Sequence, residues 1–342
     1  MVSTANIGIA GVGTYVPDGF VTAKEISDAT GGLWSEGAVI EKLGIIKKPV
    51  ASKNEGTQEM GYLAASRAVA DAGIDPLEID LVLSMGEEYK EYPLTTSALY
   101  IQDRVGAKNA WGIDLQNRCC TTVSAIKIAK DMMLADDDIG TVLIAGGYRN
   151  GDFIDYKDSS VSMMFNLADG GGALVLKKNL GRNLVLGSHI IADASLARSA
   201  GVEIGGQIRP ITVSNIDEAR KSLRLLDEKA MKVRLNRISM PNWQACIDKA
   251  FEKSALPRSS MDYLAILHIK RSGHEAMLRS LRLNDSQSIY LEEFGHLGQI
   301  DQILSLELAL KKGIVTDGSV VCLLAAGIGY VWAASVIKWG AA

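Results

Sequence analysis

Residues 66–86, SRAVADAGIDPLEIDLVLSMG, and residues 248–269, DKAFEKSALPRSSMDYLAILHI, carry the same order of features. Each opens with an amphipathic stretch of helical period, passes through a short turn, and closes on an apolar run suited to a buried strand. Asp80 and Asp262 stand just before the two apolar runs, 182 residues apart (262 − 80). A second pair, GTVLIAGG from Gly140 and GSVVCLLAAG from Gly318, is offset by 178 (318 − 140). Two weak similarities at nearly one offset point to an internal duplication. The competing explanation is chance likeness between two generic helix–turn–strand units, which are common in α/β proteins. The duplication predicts two α/β halves, residues 1–178 and 179–342, that bury their sheets against shared central helices. Equivalent loops should then meet near a pseudo-twofold axis. No Pro- or Ser-rich linker separates the halves, so they are expected to form one unit.

Bulk composition agrees with that architecture. The 342 residues are 47% hydrophobic and 22% charged, with 34 glycines and only 6% aromatics. That is enough for a full apolar core with tight turns. The formal net charge of −4 argues against a nucleic-acid binder. Four cysteines, two of them adjacent, do not make a disulfide framework, so a reduced cytoplasmic setting is expected. The N-terminal MVSTANIGIAGVG lacks a basic segment before its apolar stretch and does not read as a signal peptide. The uncharged run Val320 to Ile337 is long enough to span a bilayer. Its central Gly327 and Gly329 and its β-branched ends predict two buried strands around a turn instead.

The chemistry centres on one cysteine. Trp111 to Leu115 reads as a buried strand end, followed by QNRCCTT and a helix over Val123–Leu134. Cys119 thus sits where a strand turns into a helix. Helix N-termini carry partial positive charge and free N–H groups, which favour a thiolate and suit a nucleophile. Alone the signal is weak, because a free cysteine in such a place is more often simply packed. His296, in YLEEFGHLG ahead of a helix over Ile300–Lys311, follows Cys119 by 177 residues, almost the repeat offset. The two are expected at equivalent strand-to-helix turns and therefore close together. His268 ends the strand Tyr263–Leu267, where sites in α/β folds collect. For either histidine alone a hydrogen-bonded core position is the ordinary explanation; His189 and His274 have no such placement. The glycines flanking Ile328 free the backbone to aim an N–H at a bound oxygen, so Cys119 and Ile328 are candidate oxyanion-hole donors. No spacing resembles a metal site or a nucleotide loop.

At this point the residues resemble a family. IGIAGVGTYVPD, LGIIKKPVASKNEGTQEMGYLAASRAVADAGI, EYPLTTSALYIQDRVG, IDLQNRCC, NLADGGGALVL, LHIKR, FGHLGQID and AAGIGYVWAASVIKW are similar, in this order, to the β-ketoacyl-acyl-carrier-protein synthase III group of the thiolase superfamily. Only the middle, about 196–245, matches poorly. The resemblance implies a five-layered αβαβα fold of two duplicated halves and a homodimer. It also implies a cytoplasmic acyltransferase that uses acyl-CoA or acyl-carrier-protein thioesters, without metal or redox cofactor and without membrane or nucleic-acid partners. It assigns Cys119 as the acylated residue, His268 as an aid to decarboxylation, Ile328 as the second oxyanion donor, and Tyr92 as the aromatic reaching into the partner's acyl pocket.

Departures from the family pattern are informative. His296 stands where the family usually has Asn, giving a Cys–His–His set like that of elongating synthases. Cys120 and Thr121 replace small residues after the nucleophile, so Cys120 is expected to shape the acyl pocket. The usual adenine-stacking tryptophan has no match, with Trp34, four residues earlier, as the substitute. Arg271 stands where Asn is usual. Glu87 ends the strand Leu83–Met85 where 3-hydroxy-3-methylglutaryl-CoA synthases place a general acid/base; Glu88 is one residue off, and a solvated loop carboxylate is the ordinary explanation for both. The expected reaction is therefore acylation of Cys119 and decarboxylative Claisen condensation with a malonyl thioester, His268 and His296 holding its carbonyl. A non-decarboxylating synthase using Glu87, a simple acyltransferase, and a non-catalytic partner subunit are the rivals. The basic residues Arg220, Lys221, Arg224, Lys229, Lys232, Arg234 and Arg237 are expected to form a helix face for an acidic carrier protein.

Overall fold

Asp80 and Asp262 play the same part in the computed structural model, which describes residues 5–87 and 89–341. The Asp80 carboxylate accepts from the N–H groups of Gly140 and Thr141, each at 2.8 Å, and that of Asp262 accepts from Val320 N–H at 2.8 Å. Each aspartate therefore closes the start of a central strand, and the repeat in the sequence is a repeat in hydrogen bonding.

The sheet uses nine strands: β1 Ile7–Tyr15, β2 Leu81–Met85, β3 Trp111–Leu115, β4 Thr141–Tyr148, β5 Gly170–Lys178, β6 Arg182–Ala192, β7 Tyr263–Ile266, β8 Val320–Gly327 and β9 Val331–Ala341. Their order is β7-β8-β9-β6-β1-β5-β4-β2-β3. The pairs β2–β3, β2–β4 and β7–β8 are parallel, and the remaining neighbours are antiparallel. Within the sheet the two halves meet where Gly8 of β1 faces Leu184 of β6. The chain crosses between them after Lys178. The uncharged run from Val320 is two buried strands around a turn, as its glycines predict, and no described helix is long and apolar enough to cross a membrane.

Six helices complete five layers: α1 Thr57–Ala72, α2 Ser97–Val105, α3 Thr121–Ala135, α4 Glu228–Lys253, α5 Arg271–Leu281 and α6 Asp301–Lys311. Helices α1 and α2 cover the outer face of the first half, and α4 that of the second. Between the sheets, α3 packs on β2 and β4 of one half and on β6, β8 and β9 of the other, while α6 packs on β1 and β5 and on β7 and β8. Residues 121–126 of α3 and 301–306 of α6 are all buried because both sides are covered there. Seven of the eleven residues of α6 are buried, including Asp301, Gln302 and Ser305.

Three local expectations are corrected. Strand β3 is an edge strand, with Trp111 49% and Ile113 43% exposed, and is not buried. The segment before His296 is not a strand. Ile289 N–H bonds to the Tyr263 hydroxyl and Ser288 Oγ to Leu264 O, so side chains replace a ladder beside β7. The basic residues of the middle do not share a helix: Arg224 lies on the short strand Leu223–Leu225, while Lys229, Lys232, Arg234 and Arg237 lie on α4. Arg224 sits beside Asp158 and Glu203, Lys232 pairs with Glu228, and Arg234 with Asp193.

Candidate active site

Cys119 lies in a single tight turn, Arg118–Cys120, that feeds directly into α3. The turn is tied down on both sides. Asn117 N–H donates to Thr121 Oγ1 at 2.9 Å, that hydroxyl donates to Arg118 O at 2.6 Å, and Asn117 Nδ2 donates to Ser124 Oγ at 2.7 Å. Arg118 takes a left-handed conformation, φ 51°, which is costly for a residue with a Cβ and is held here by its surroundings. Gly327, at the end of β8, sits against this turn. A Cβ there would lie 2.9 Å from Asn117 O and 3.2 Å from Cys119 N. Only glycine lets the loop carrying Ile328 come this close to the cysteine backbone.

The loop carrying His296 approaches from the second half. His296 N–H donates to Asn166 O at 2.8 Å and Ala168 N–H donates to His296 O at 2.9 Å, stitching the loop to the segment before β5. Gly298 follows with φ 59°, and a Cβ there would press within 2.4 Å of the Tyr148 ring. His296 Nε2 stands 3.1 Å from Cys119 Sγ, and its Nδ1 stands 2.6 Å from Asp301 Oδ2. A carboxylate only accepts, so the proton on Nδ1 is fixed and Nε2 is turned to the sulfur. Asp301 is fully buried and also accepts from Leu297 N–H and His268 N–H, each at 2.7 Å. Burial opposes a charge on His296, but the Asp301 carboxylate, then Cys119 and its hydrogen bonds, raise its pKa well above the ordinary 6.5. The arrangement favours a charged imidazolium facing the Cys119 sulfur.

His268 is close by but turned elsewhere. Its Nε2 stands 3.1 Å from Gly44 O and its Nδ1 3.0 Å from Asn166 Nδ2. The first contact requires Nε2–H and the second an unprotonated Nδ1, so both ring nitrogens are satisfied by protein. Burial lowers its pKa to about 4 and keeps the ring neutral. The expected pair of histidine donors is thus one histidine facing the nucleophile and one fixed by its neighbours.

Glu87 is not a solvated loop carboxylate. It is 4% exposed and paired with Arg118 Nη1 at 3.0 Å, next to the nucleophile turn. Glu88 lies outside the described residues. Cys120 is fully buried, with Sγ on Val331 O at 3.3 Å. Tyr92 is 72% exposed. Trp34 is half-buried, its ring edge-on to Phe165, and Arg271 lies over the Tyr290 ring. Sequence reasoning passed over two groups. Tyr148, at the end of β4, is buried with its ring 6.2 Å from that of His296; burial and then the charges of Cys119 and Glu87 raise its pKa. Asp301 carried a signal: an acid five residues past a histidine, at the first position of a helix.

Comparison with known proteins gives the family and the fold. Residues 113–194 match the family model for 3-oxoacyl-[acyl-carrier-protein] synthase III, and residues 251–339 match the model for its C-terminal part. The β-ketoacyl-[acyl-carrier-protein] synthase III of Caldanaerobacter subterraneus is 24% identical over 335 residues, covering 97% of each chain. That of Azobacteroides pseudotrichonymphae is 27% identical over 339 residues, again covering 97% of each. The crystal structure of the Aquifex aeolicus 3-oxoacyl-[acyl-carrier-protein] synthase III superposes with a TM-score of 0.81 at 20% identity, covering 97% of this chain and all of the other.

Proposed function

The chain belongs to the β-ketoacyl-acyl-carrier-protein synthase III family of thiolase-like condensing enzymes, and from that premise we propose that it joins an acyl thioester to a malonyl thioester with loss of CO₂. The observation that carries the reading is the 3.1 Å contact between Cys119 Sγ and His296 Nε2 at a helix start. The Cys119 thiolate attacks the acyl thioester, and its oxygen rests on the N–H groups of Cys119 and Ile328. The departing thiolate takes the proton of His296. Nε2 takes up a proton from solvent, the one proton the overall reaction consumes, and His296 then donates to the malonyl thioester carbonyl as the C–CO₂ bond breaks. The resulting enolate attacks the acyl-Cys119 carbonyl, and expulsion of the thiolate gives a β-ketoacyl thioester. His268 joins as a second donor only if its Nε2–H exchanges the Gly44 carbonyl for the substrate's. No metal or redox cofactor enters these steps. Incubation with a panel of acyl primers and malonyl thioester should release CO₂ and β-ketoacyl product one for one; no CO₂ with any primer sinks the reading.

The active unit in this reading is a cytoplasmic homodimer. Support comes from edge strand β3, whose Trp111 and Ile113 are exposed, and from nearby Tyr92, Leu94 and Leu99, all exposed. An apolar, unpaired edge is a ready pairing surface. Ile113→Lys combined with Trp111→Lys should shift sedimentation from dimer to monomer and lower turnover. A wild-type chain that sediments as a monomer removes the dimer.

The acyl donor in this reading arrives on coenzyme A or an acidic acyl carrier protein. Lys229 and Arg237 on α4 make no ion pair among the described residues, and Arg237 lines a cavity of about 370 Å³ with Arg234, Ser195, Leu196, Ala230 and Val233. Lys229→Glu with Arg237→Glu should raise KM for a carrier-borne substrate by about tenfold, in line with the cost of reversing steering charges. KM for the coenzyme A form should stay near the wild-type value. Equal effects on both donors would remove the carrier face.

A further inference from the structure

We infer that Asp301 is a positioning residue that completes a Cys119–His296–Asp301 triad, an inference that rests on Cys119 being the nucleophile. A carboxylate at the first position of α6 could serve merely to satisfy helix N–H groups. Its contacts go further. One oxygen takes Leu297 N–H at 2.7 Å, while the other takes both His268 N–H at 2.7 Å and the His296 ring at 2.6 Å. Asp301 is fully buried, and a buried charge is stable only with such partners. By holding Nδ1–H, it allows His296 a single useful orientation, with Nε2 on the cysteine sulfur. By its charge, it stabilises the imidazolium that forms when the thiol proton moves to the ring. The titratable groups around His296 are Cys119 from the nucleophile turn, His268 from the end of β7, Tyr148 from the end of β4 and Asp301 itself, with Glu87 beside Arg118 beyond them. Among the described residues, only Asp301 hydrogen-bonds the ring nitrogen remote from the sulfur.

The consequence is a division of labour between the histidines. His268 is neutral and held at both nitrogens, so the proton that accompanies thioester exchange must travel on His296. A permanently neutral donor in place of His296 would hold a carbonyl but could not accept that proton. The Asp301 carboxylate is what makes the ring a proton carrier.

Asp301→Asn keeps the shape and removes the charge. The test follows the rate of iodoacetamide alkylation at Cys119 against pH, read by peptide mass spectrometry, in wild type, Asp301→Asn, Asp301→Glu and His296→Ala with and without Asp301→Asn. In the wild type the label should fall on Cys119 and alkylation should persist to acid pH, because a positively charged imidazole 3.1 Å from the sulfur favours the reactive form. Asp301→Asn should move the acid limb to higher pH and lower the neutral-pH rate by about 10²-fold or more, since loss of the orienting carboxylate leaves the wrong tautomer. Asp301→Glu should restore part of the limb. In the His296→Ala background, Asp301→Asn should add little, because groups acting as a unit are non-additive. An unchanged limb in a folded Asp301→Asn protein overturns the proposal, and so does a full additional loss in the His296→Ala background. If Asp301→Asn does not fold, the Asp301→Glu limb decides: a profile identical to that of His296→Ala overturns it, and a partly restored one upholds it. Wild-type label landing on another cysteine would instead overturn the nucleophile assignment.

Discussion

Cys119→Ala is expected to abolish acyl-enzyme formation and to lower condensation by at least about 10⁴-fold, the scale seen when the nucleophile of a coupled site is removed. The reason is positional. Four cysteines are present and all are buried, so burial does not single one out. Burial raises Cys246 and Cys322 to about 12, and burial with the neighbouring Cys119 raises Cys120 well above the ordinary thiol range. These three stay protonated thiols and poor nucleophiles. Cys119 alone lies at a helix start with an imidazole 3.1 Å from its sulfur. Intact-protein mass spectrometry after incubation with an acyl thioester should show one adduct in the wild type and none in Cys119→Ala. Cys120→Ala should retain the adduct, because its side chain faces the core beside Val331. An adduct that survives in Cys119→Ala, or full turnover by that variant, refutes the assignment.

The duplicated halves were legible because backbone accounting repeats. Asp80 and Asp262 are each required by unpaired N–H groups at the start of a strand, and that requirement leaves a mark at a fixed offset. The pairing of Cys119 with His296 followed from the same offset, since equivalent loops meet at the axis. What the offset did not carry is which way a ring turns. The orientation of His268 depends on Gly44 and Asn166, 224 and 102 residues away, neither of which has any periodic signature. The burial of Glu87 likewise depends on Arg118 swinging across from the nucleophile turn. The segment Tyr290–Leu291 is apolar enough for a strand, yet its neighbours Ser288 and Ile289 bond to β7 through side chains and no ladder forms. Asp301 could be seen in the sequence only as an acid at a helix start, because its three partners come from a ring and two backbone groups.

His296→Ala should stop CO₂ release from malonyl thioester, by about 10²–10³-fold for the lost donor alone. It should also slow acylation of Cys119, because the same nitrogen faces the sulfur. Glu87→Gln should stay within about tenfold of the wild type, since the amide keeps one hydrogen-bonding oxygen toward Arg118 and a preserved neutral contact there costs little. The contrast follows from where charge develops. During decarboxylation the electron pair of the breaking C–C bond moves onto the thioester oxygen, and the group that must meet it is an N–H aimed into the space beside Cys119. Of the two histidines, His296 has the ring nitrogen that faces the nucleophile sulfur, a contact that acylation of Cys119 weakens, whereas both nitrogens of His268 are held by Gly44 and Asn166. Glu87 can accept a proton but cannot donate to that oxygen while ionised, and its carboxylate is occupied by Arg118 at 3.0 Å. A non-decarboxylating synthase reverses the pattern: Glu87→Gln would then stop condensation, and acetyl-Cys119 would react with acetoacetyl thioester without CO₂. Radiolabelled CO₂ collected from wild type, His296→Ala and Glu87→Gln, alongside the mass of the Cys119 adduct, separates the two. Condensation lost in Glu87→Gln with CO₂ release intact in His296→Ala would transfer the chemistry to the carboxylate.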